Sequence, residues 1–288
     1  PSFTEQHRVI NCESNLIAEV LCERGKHARA AVGMACLPLN ASVEIDAVIE
    51  IGQRALAEQH TDLSWLTACP IAHRGYHDMN QSVWENTPSA FQRAIDAGYA
   101  IECDVQIAAD GVPVVFHDDD LERLCGLRGD VRARTSQELG QLTVGGTADR
   151  IPSLPQLLKQ VAGKVPLVIE LKGRPDDDDG FADAVVECLE SYEGPVALMS
   201  FDHGLLRDLK ASAPRCPIGL TAEGTKPEIF FVHEEAMQLG LNFISYCVHH
   251  LPNVFIEVQR AQGVPIITWT VRDAEAREKT RVHADQMT

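Results

Sequence analysis

A chain of 288 residues, 45% of them hydrophobic, has the apolar material for one large α/β barrel, or for a barrel plus a small extra piece. A formal net charge of −17 repels nucleic acid and anionic membranes and argues against both as default partners, and no apolar run approaches the ~20 residues of a membrane span. A phosphorylated substrate then needs a metal, or a few well-placed Lys and Arg, to overcome the global field. The nine cysteines are odd in number and contain no C-x-x-C pair, so neither a zinc cluster nor a redox motif is expected, and isolated thiols of this kind suit a reducing, cytoplasmic compartment.

Residues 1–65 read as a mostly helical extension, with amphipathic patterns over about 12–23 and 42–59 and no strand–helix alternation. Beyond it, short apolar runs alternate with helical ones, the pattern of a parallel α/β architecture, and residues 66–288 make up the second domain. Strands are predicted at 71–73, 100–105, 112–116, 167–171, 196–201, 218–221, 243–247, 266–270 and 285–288. That is one strand too many for an eight-stranded barrel. Asp110-Gly111 accounts for the excess, because a connection this short makes a hairpin and not a parallel crossover. The run 112–116 therefore folds back antiparallel, and the rest predict a TIM-type (β/α)8 barrel. Helices are predicted between the strands at 89–97, 154–161, 181–192, 204–212, 227–239, 253–261 and 274–282. Residues 118–150, rich in Gly, Arg and Asp, exceed a simple connection and read as a small insertion over the barrel mouth. The last strand is only begun when the sequence stops at Thr288, so the barrel's final strand and helix are expected to be truncated.

Active sites of such barrels lie at the C-terminal ends of the strands. There the sequence places His73 and Arg74 after the first strand, Glu102 and Asp104 on the second, His117 and Asp118 after the hairpin, and Glu170 and Lys172 at the third barrel strand. Glu102 and Asp104 are spaced i, i+2, as are Glu170 and Lys172, so each pair points to one face. Three carboxylates facing one cavity repel one another unless a cation lies between them, and an all-oxygen set suits Mg²⁺ or Ca²⁺ rather than zinc. Arg74 and Lys172 add the charge needed to hold a phosphate oxyanion. His73 and His117 are candidates for the general acid and base, since imidazole titrates near neutrality. Phe201 and Trp269 are expected as pocket walls, Tyr246 and His249 at the substrate rim, and Glu223 against a cationic alcohol.

The strings His-Arg-Gly at 73–75, Glu-Asn-Thr at 85–87, Glu-Cys-Asp-Val at 102–105, Asp-Gly-Val-Pro-Val-Val-Phe-His-Asp at 110–118 and Ile-Glu-Leu-Lys at 169–172 follow one another in register, and Ser200-Phe201 and Trp269-Thr-Val agree with them. Together they resemble the signature set of the glycerophosphodiester phosphodiesterase family, over residues 70–288. The resemblance implies a metal-dependent enzyme of lipid metabolism that cleaves a small-molecule phosphodiester to glycerol phosphate and an alcohol. It makes Glu102, Asp104 and Glu170 ligands of one divalent cation, and His73 and His117 the acid/base pair. Arg74 and Lys172 become the phosphate-binding cations, and Glu85 and Asn86 a supporting pair on the substrate side of the site. One departure stands at the rim: after Trp269-Thr-Val the family usually has Asn, and this chain has Arg272. Two other functions compete. A lysophospholipase D-type enzyme needs an apolar groove, which the polar insertion disfavours, and a non-catalytic phospho-ligand-binding barrel predicts the loss of a ligand or a histidine.

Overall fold

The computed structural model describes residues 63–174, 178, 180–212 and 214–288, so the helices expected at about 12–23 and 42–59, and nearly all of the extension 1–65, lie outside the described residues. The strands are β1 (Ile71–Ala72), β2 (Ala100–Ile107), β3 (Pro113–Val115), β4 (Leu167–Leu171), β5 (Val196–Ser200), β6 (Ile218–Ala222), β7 (Phe243–Cys247), β8 (Ile266–Trp269) and β9 (Gln286–Met287). Eight of them run parallel in the order β1-β2-β4-β5-β6-β7-β8-β9, and β3 pairs antiparallel with β2 outside that path. This is the expected TIM-type barrel, nearly closed. At the seam, Gln286 of β9 donates to the Thr67 carbonyl, just ahead of β1, at 2.8 Å. Three strands end one residue earlier at the mouth than predicted, so that His73, Phe201 and Thr270 already belong to the loops, whereas β2 and β6 run on to Ile107 and Ala222.

The helices longer than a single turn are α1 (Pro88–Ala97), α2 (Leu154–Val161), α3 (Phe181–Leu189), α4 (His203–Ser212), α5 (Pro227–Met237), α6 (Val254–Ala261) and α7 (Ala274–His283). Their starts are written in local chemistry. Thr87 caps α1 by accepting from Ala90 N, with Pro88 at the first helical position and Gly98 left-handed at the end. Ser153 and Gln156 close a capping box on α2. Among the described residues no helix is long and apolar enough to cross a membrane.

Alternation along the strands divides the core. Ile101, Cys103 and Val105 of β2 face outward and pack with the helices in the larger apolar cluster. The inward side of the barrel's lower half is filled by Ile71, Ala100, Val168, Ala197, Met199, Phe243 and Ile267, and Leu66 packs against them. Gly219 makes room for this packing, since a Cβ there would lie 2.4 Å from Phe243 Cζ. Above this apolar plug the inward positions turn acidic with Glu102, Asp104 and Glu170.

The insertion at 118–150 is a folded unit more than a polar excursion. Leu121, Leu124, Val131, Leu139 and Val144 join Val114, Phe116 and Ile151 in a cluster of their own, with Trp84 against it. Its polar composition hid this because the apolar residues that build the cluster are spaced singly along the segment.

Candidate active site

Glu102 and Asp104 reach the cavity from β2 and Glu170 from β4, because the parallel register sets Asp104 beside Glu170 and Glu102 beside Val168. One oxygen of each carboxylate lies within 4.8 Å of the others, and the three residues are only 1–7% exposed. Lys172, just past β4, places Nζ 2.6 Å from Glu170 Oε1 and 3.3 Å from Asp104 Oδ1. Arg74 follows β1 in a left-handed conformation (φ 54°), with its backbone N–H donating to Glu102 Oε2 at 2.8 Å. Its guanidinium pairs with Glu85 at 2.7 Å, and its Nε lies 3.3 Å from Asp104 Oδ2 without hydrogen-bond alignment. Gly75 is left-handed too, and a Cβ there would meet Ala90 Cβ at 2.8 Å, so the loop after β1 sits tightly on α1.

Burial, and after it the neighbouring Asp104 and Glu170, push the Glu102 carboxyl well above its ordinary range. Burial also raises Glu170 to about 7, although Lys172 opposes it. Burial works against ionised Asp104 as well, but Lys172 and Arg74 prevail and hold it at about 2. An acidic set whose members resist sharing negative charge fits a hard divalent cation, which supplies the missing positive charge to oxygen ligands.

The two histidines face this set from different loops. Burial, then Arg74, lowers His73 to about 3, so its 4.0 Å approach to Glu102 is that of a neutral ring and not an ion pair. His117 is also lowered by burial, and its Nδ1 is engaged by Asp118 Oδ1 at 2.7 Å, which leaves Nε2 as the ring's other nitrogen for chemistry. Asp118 accepts two hydrogen bonds from Arg123, at 2.6 and 2.8 Å. Arg123 also donates to both oxygens of Glu85, at 2.7 and 3.0 Å. Since Glu85 binds Arg74, and Arg74 stands beside Asp104 and Glu102, one continuous chain of charged contacts runs from His117 to the carboxylate set.

A cavity of about 380 Å³ is lined by His73, Arg74, Glu102, Asp104, His117, Glu170, Lys172, Phe201, Trp269 and Arg272, among others. A second hollow of about 530 Å³ adjoins it across His117, Glu170, Lys172 and Phe201, and adds Asp118, Asp119, Asp120 and Asp202. Phe201 and Trp269 meet edge to face at 5.4 Å. Glu85 and Asn86 lie behind the wall and outside the lining: Glu85 holds Arg74 and Arg123, and Asn86 donates to Asp104 Oδ2 at 2.8 Å. The rim assignments of Tyr246, His249 and Glu223 do not hold. Tyr246 is buried, one residue off the inward parity of Ser245, and donates to Gly224 O among His233 and Phe255. Neither His249 nor Glu223 lines the cavity. Glu223 instead sits with Cys247 and His250, ligand atoms within 4.8 Å, a grouping invisible in linear spacing; the His250 Nδ1 already accepts from Gly224 N at 2.9 Å. Arg123 was missed altogether, because it stands in the polar insertion 38 residues from Glu85.

Eight parallel strands bearing buried carboxylates, two imidazoles and two cations at their C-terminal ends define a barrel phosphodiesterase site. The chain belongs to the glycerophosphoryl diester phosphodiesterase family, whose model matches residues 73–287, and it is a hydrolase acting on phosphoric diesters. It is 31% identical to a glycerophosphodiester phosphodiesterase of Caldanaerobacter subterraneus subsp. tengcongensis over 223 residues, covering 73% of this chain and 88% of that one. The solved glycerophosphodiester phosphodiesterase of Thermotoga maritima matches with a TM-score of 0.62 at 28% identity, over 76% of this chain and 92% of that one. A phosphodiesterase of Oleispira antarctica, solved with its product sn-glycerol-3-phosphate, shares the fold with a TM-score of 0.69 at 24% identity, over 77% of this chain and 93% of that one.

Proposed function

We propose that the chain hydrolyses glycerophosphodiesters to glycerol phosphate and an alcohol, with one divalent cation, Mg²⁺ or Ca²⁺, and with His73 and His117 moving the protons. The observation that carries this reading is the convergence of Glu102, Asp104 and Glu170 with both imidazoles on one cavity. A divalent cation held by the three carboxylates would polarise the phosphoryl oxygens as a Lewis acid. Arg74 and Lys172 neutralise the phosphate's remaining charge from the cavity wall. His117 Nε2 accepts the proton of the attacking hydroxyl, because Asp118 on Nδ1 stabilises the imidazolium that forms. His73, on the other side of the set, is held neutral by burial and Arg74, so it would donate to the departing oxygen only once the bound phosphodiester's negative charge has favoured its protonated form. Phe201 and Trp269 wall one side of the substrate and exclude water from it. A lysophospholipid substrate is disfavoured by the carboxylates of Asp118, Asp119, Asp120 and Asp202 around the adjoining hollow, where an acyl chain would need apolar surface.

The test is release of glycerol phosphate from a set of glycerophosphodiesters, with Mg²⁺ or Ca²⁺, with chelator, and with Glu170→Ala. Turnover that requires the cation and drops by about 10²-fold or more in the variant is expected. Full turnover in excess chelator would refute the role of the carboxylates, and no turnover by the folded, metal-loaded chain would refute the substrate assignment.

A further inference from the structure

The cavity has two unlike ends. On the β3–β5 side it opens into the hollow of Asp118, Asp119, Asp120 and Asp202. On the β8–β9 side it is lined by Trp269, Thr270, Arg272 and Thr288. Of the cavity's cations, Arg74 is committed to Glu85 and Asp104, and Lys172 to Glu170 and Asp104. Arg272 differs from both. Among the described residues no carboxylate stands within ion-pair distance of it, and no hydrogen bond holds it. It is exposed, whereas the carboxylate set is buried, and its charge reaches the His73 ring from the rim. The same lobe holds Ser245 Oγ and Thr288 Oγ1, both buried and without a hydrogen-bond partner. A cavity lined by an uncommitted guanidinium and by unsatisfied hydroxyls is built to take a polar, negatively charged group.

Resting on the phosphodiesterase reading above, we infer that Arg272 binds a second anionic group, a carboxylate or a phosphate, carried on the alcohol arm of the substrate. The chain's net charge of −17 makes such an arm unwelcome elsewhere on the surface. A planar guanidinium at the mouth both offsets that field locally and grips an oxyanion in bidentate fashion. It equally repels an arm bearing only a cation.

The experiment compares substrate pairs that differ by one anionic group: glycerophosphoserine against glycerophosphoethanolamine for a carboxylate, and glycerophosphoinositol phosphate against glycerophosphoinositol for a phosphate. The quantity read is the ratio of kcat/KM within each pair. At least one pair should favour the anionic member by roughly tenfold, and that ratio should collapse toward unity in Arg272→Gln, invert in Arg272→Glu, and survive in part in Arg272→Lys. Which pair responds tells carboxylate from phosphate. Ratios unchanged by substitution would make Arg272 a merely solvated rim residue and overturn the inference. An equal loss on every substrate would also overturn it, by placing Arg272 on the scissile phosphate. Calorimetric binding of the same pairs to His117→Ala separates the two readings. Charge-selective binding without turnover by the parent chain sinks the hydrolysis and leaves Arg272's role standing, whereas non-selective binding sinks Arg272's role alone.

Discussion

At the scale of single residues, Asp118 holds His117 Nδ1 at 2.7 Å and is expected to orient the ring for the proposed chemistry. His117 lies between burial, which keeps it neutral, and the carboxylates of Asp104 and Asp118, which favour its charged form. Replacing Asp118 by Asn keeps the shape and removes the charge, leaving an amide that can bond either tautomer. The expected result is a fall in kcat of about 10²-fold with little change in KM. The sign of the accompanying pH effect is fixed: Asp118 raises the His117 pKa, so its loss moves the acid limb of the kcat/KM profile to lower pH. A limb that moves upward, or a change confined to KM, would contradict the orienting role. The i, i+2 spacing of Glu102 and Asp104, and of Glu170 and Lys172, was legible because strand parity is a local rule. The dependence of both His117 and Arg74 on Arg123 was not, since a bidentate contact across 38 residues leaves no periodic trace.

At the scale of elements, the insertion acts as a structural arm of the site. Its small core seats Trp84 against Gly145, which is left-handed, and a Cβ on Gly145 would come 2.0 Å from Trp84 Cε2. Gly145→Ala therefore combines backbone strain with overpacking. A loss of about 2–4 kcal/mol in denaturant unfolding is expected, with reduced activity, because Trp84 directly precedes the Glu85 that holds Arg74 and Arg123. A variant within about 0.5 kcal/mol of the parent would show that the indole has room to move. The sequence pointed to an insertion by length and composition alone. Its having a core was hidden because nine scattered apolar residues between Ala108 and Ile151 meet only after the hairpin has turned.

At the scale of the molecule, the barrel gathers acid groups whose repulsion should make stability depend on pH and, under the proposed function, on a divalent cation. Glu102 is raised well above the ordinary range and Glu170 to about 7, from an unfolded value of about 4.3. In that interval the folded state holds more protons than the unfolded one. The stability contributed by these groups is thus full below about pH 4.3 and lost as pH rises through about 7. The chelated protein should melt at progressively lower temperature over that window. Added Mg²⁺ or Ca²⁺ should raise the melting temperature more at about pH 8 than at about pH 5, because ligation requires the deprotonated carboxylates. A cation effect independent of pH would place the ion elsewhere.

The sequence by itself determined the barrel, the antiparallel excursion of β3 and the inward carboxylates, since hairpin turns, strand parity and strand–helix alternation are set by neighbours a few residues apart. The residues it placed at strand ends do meet at one mouth. Tertiary structure alone decided that Tyr246 faces the helices, that Glu85 and Asn86 stand behind the wall, that Arg123 ties the insertion to the barrel, and that Arg272 remains without a partner among the described residues. Those outcomes depend on which distant side chains reach each other across the mouth. That is settled only when closing the barrel brings the β8 end and the β1 loop together.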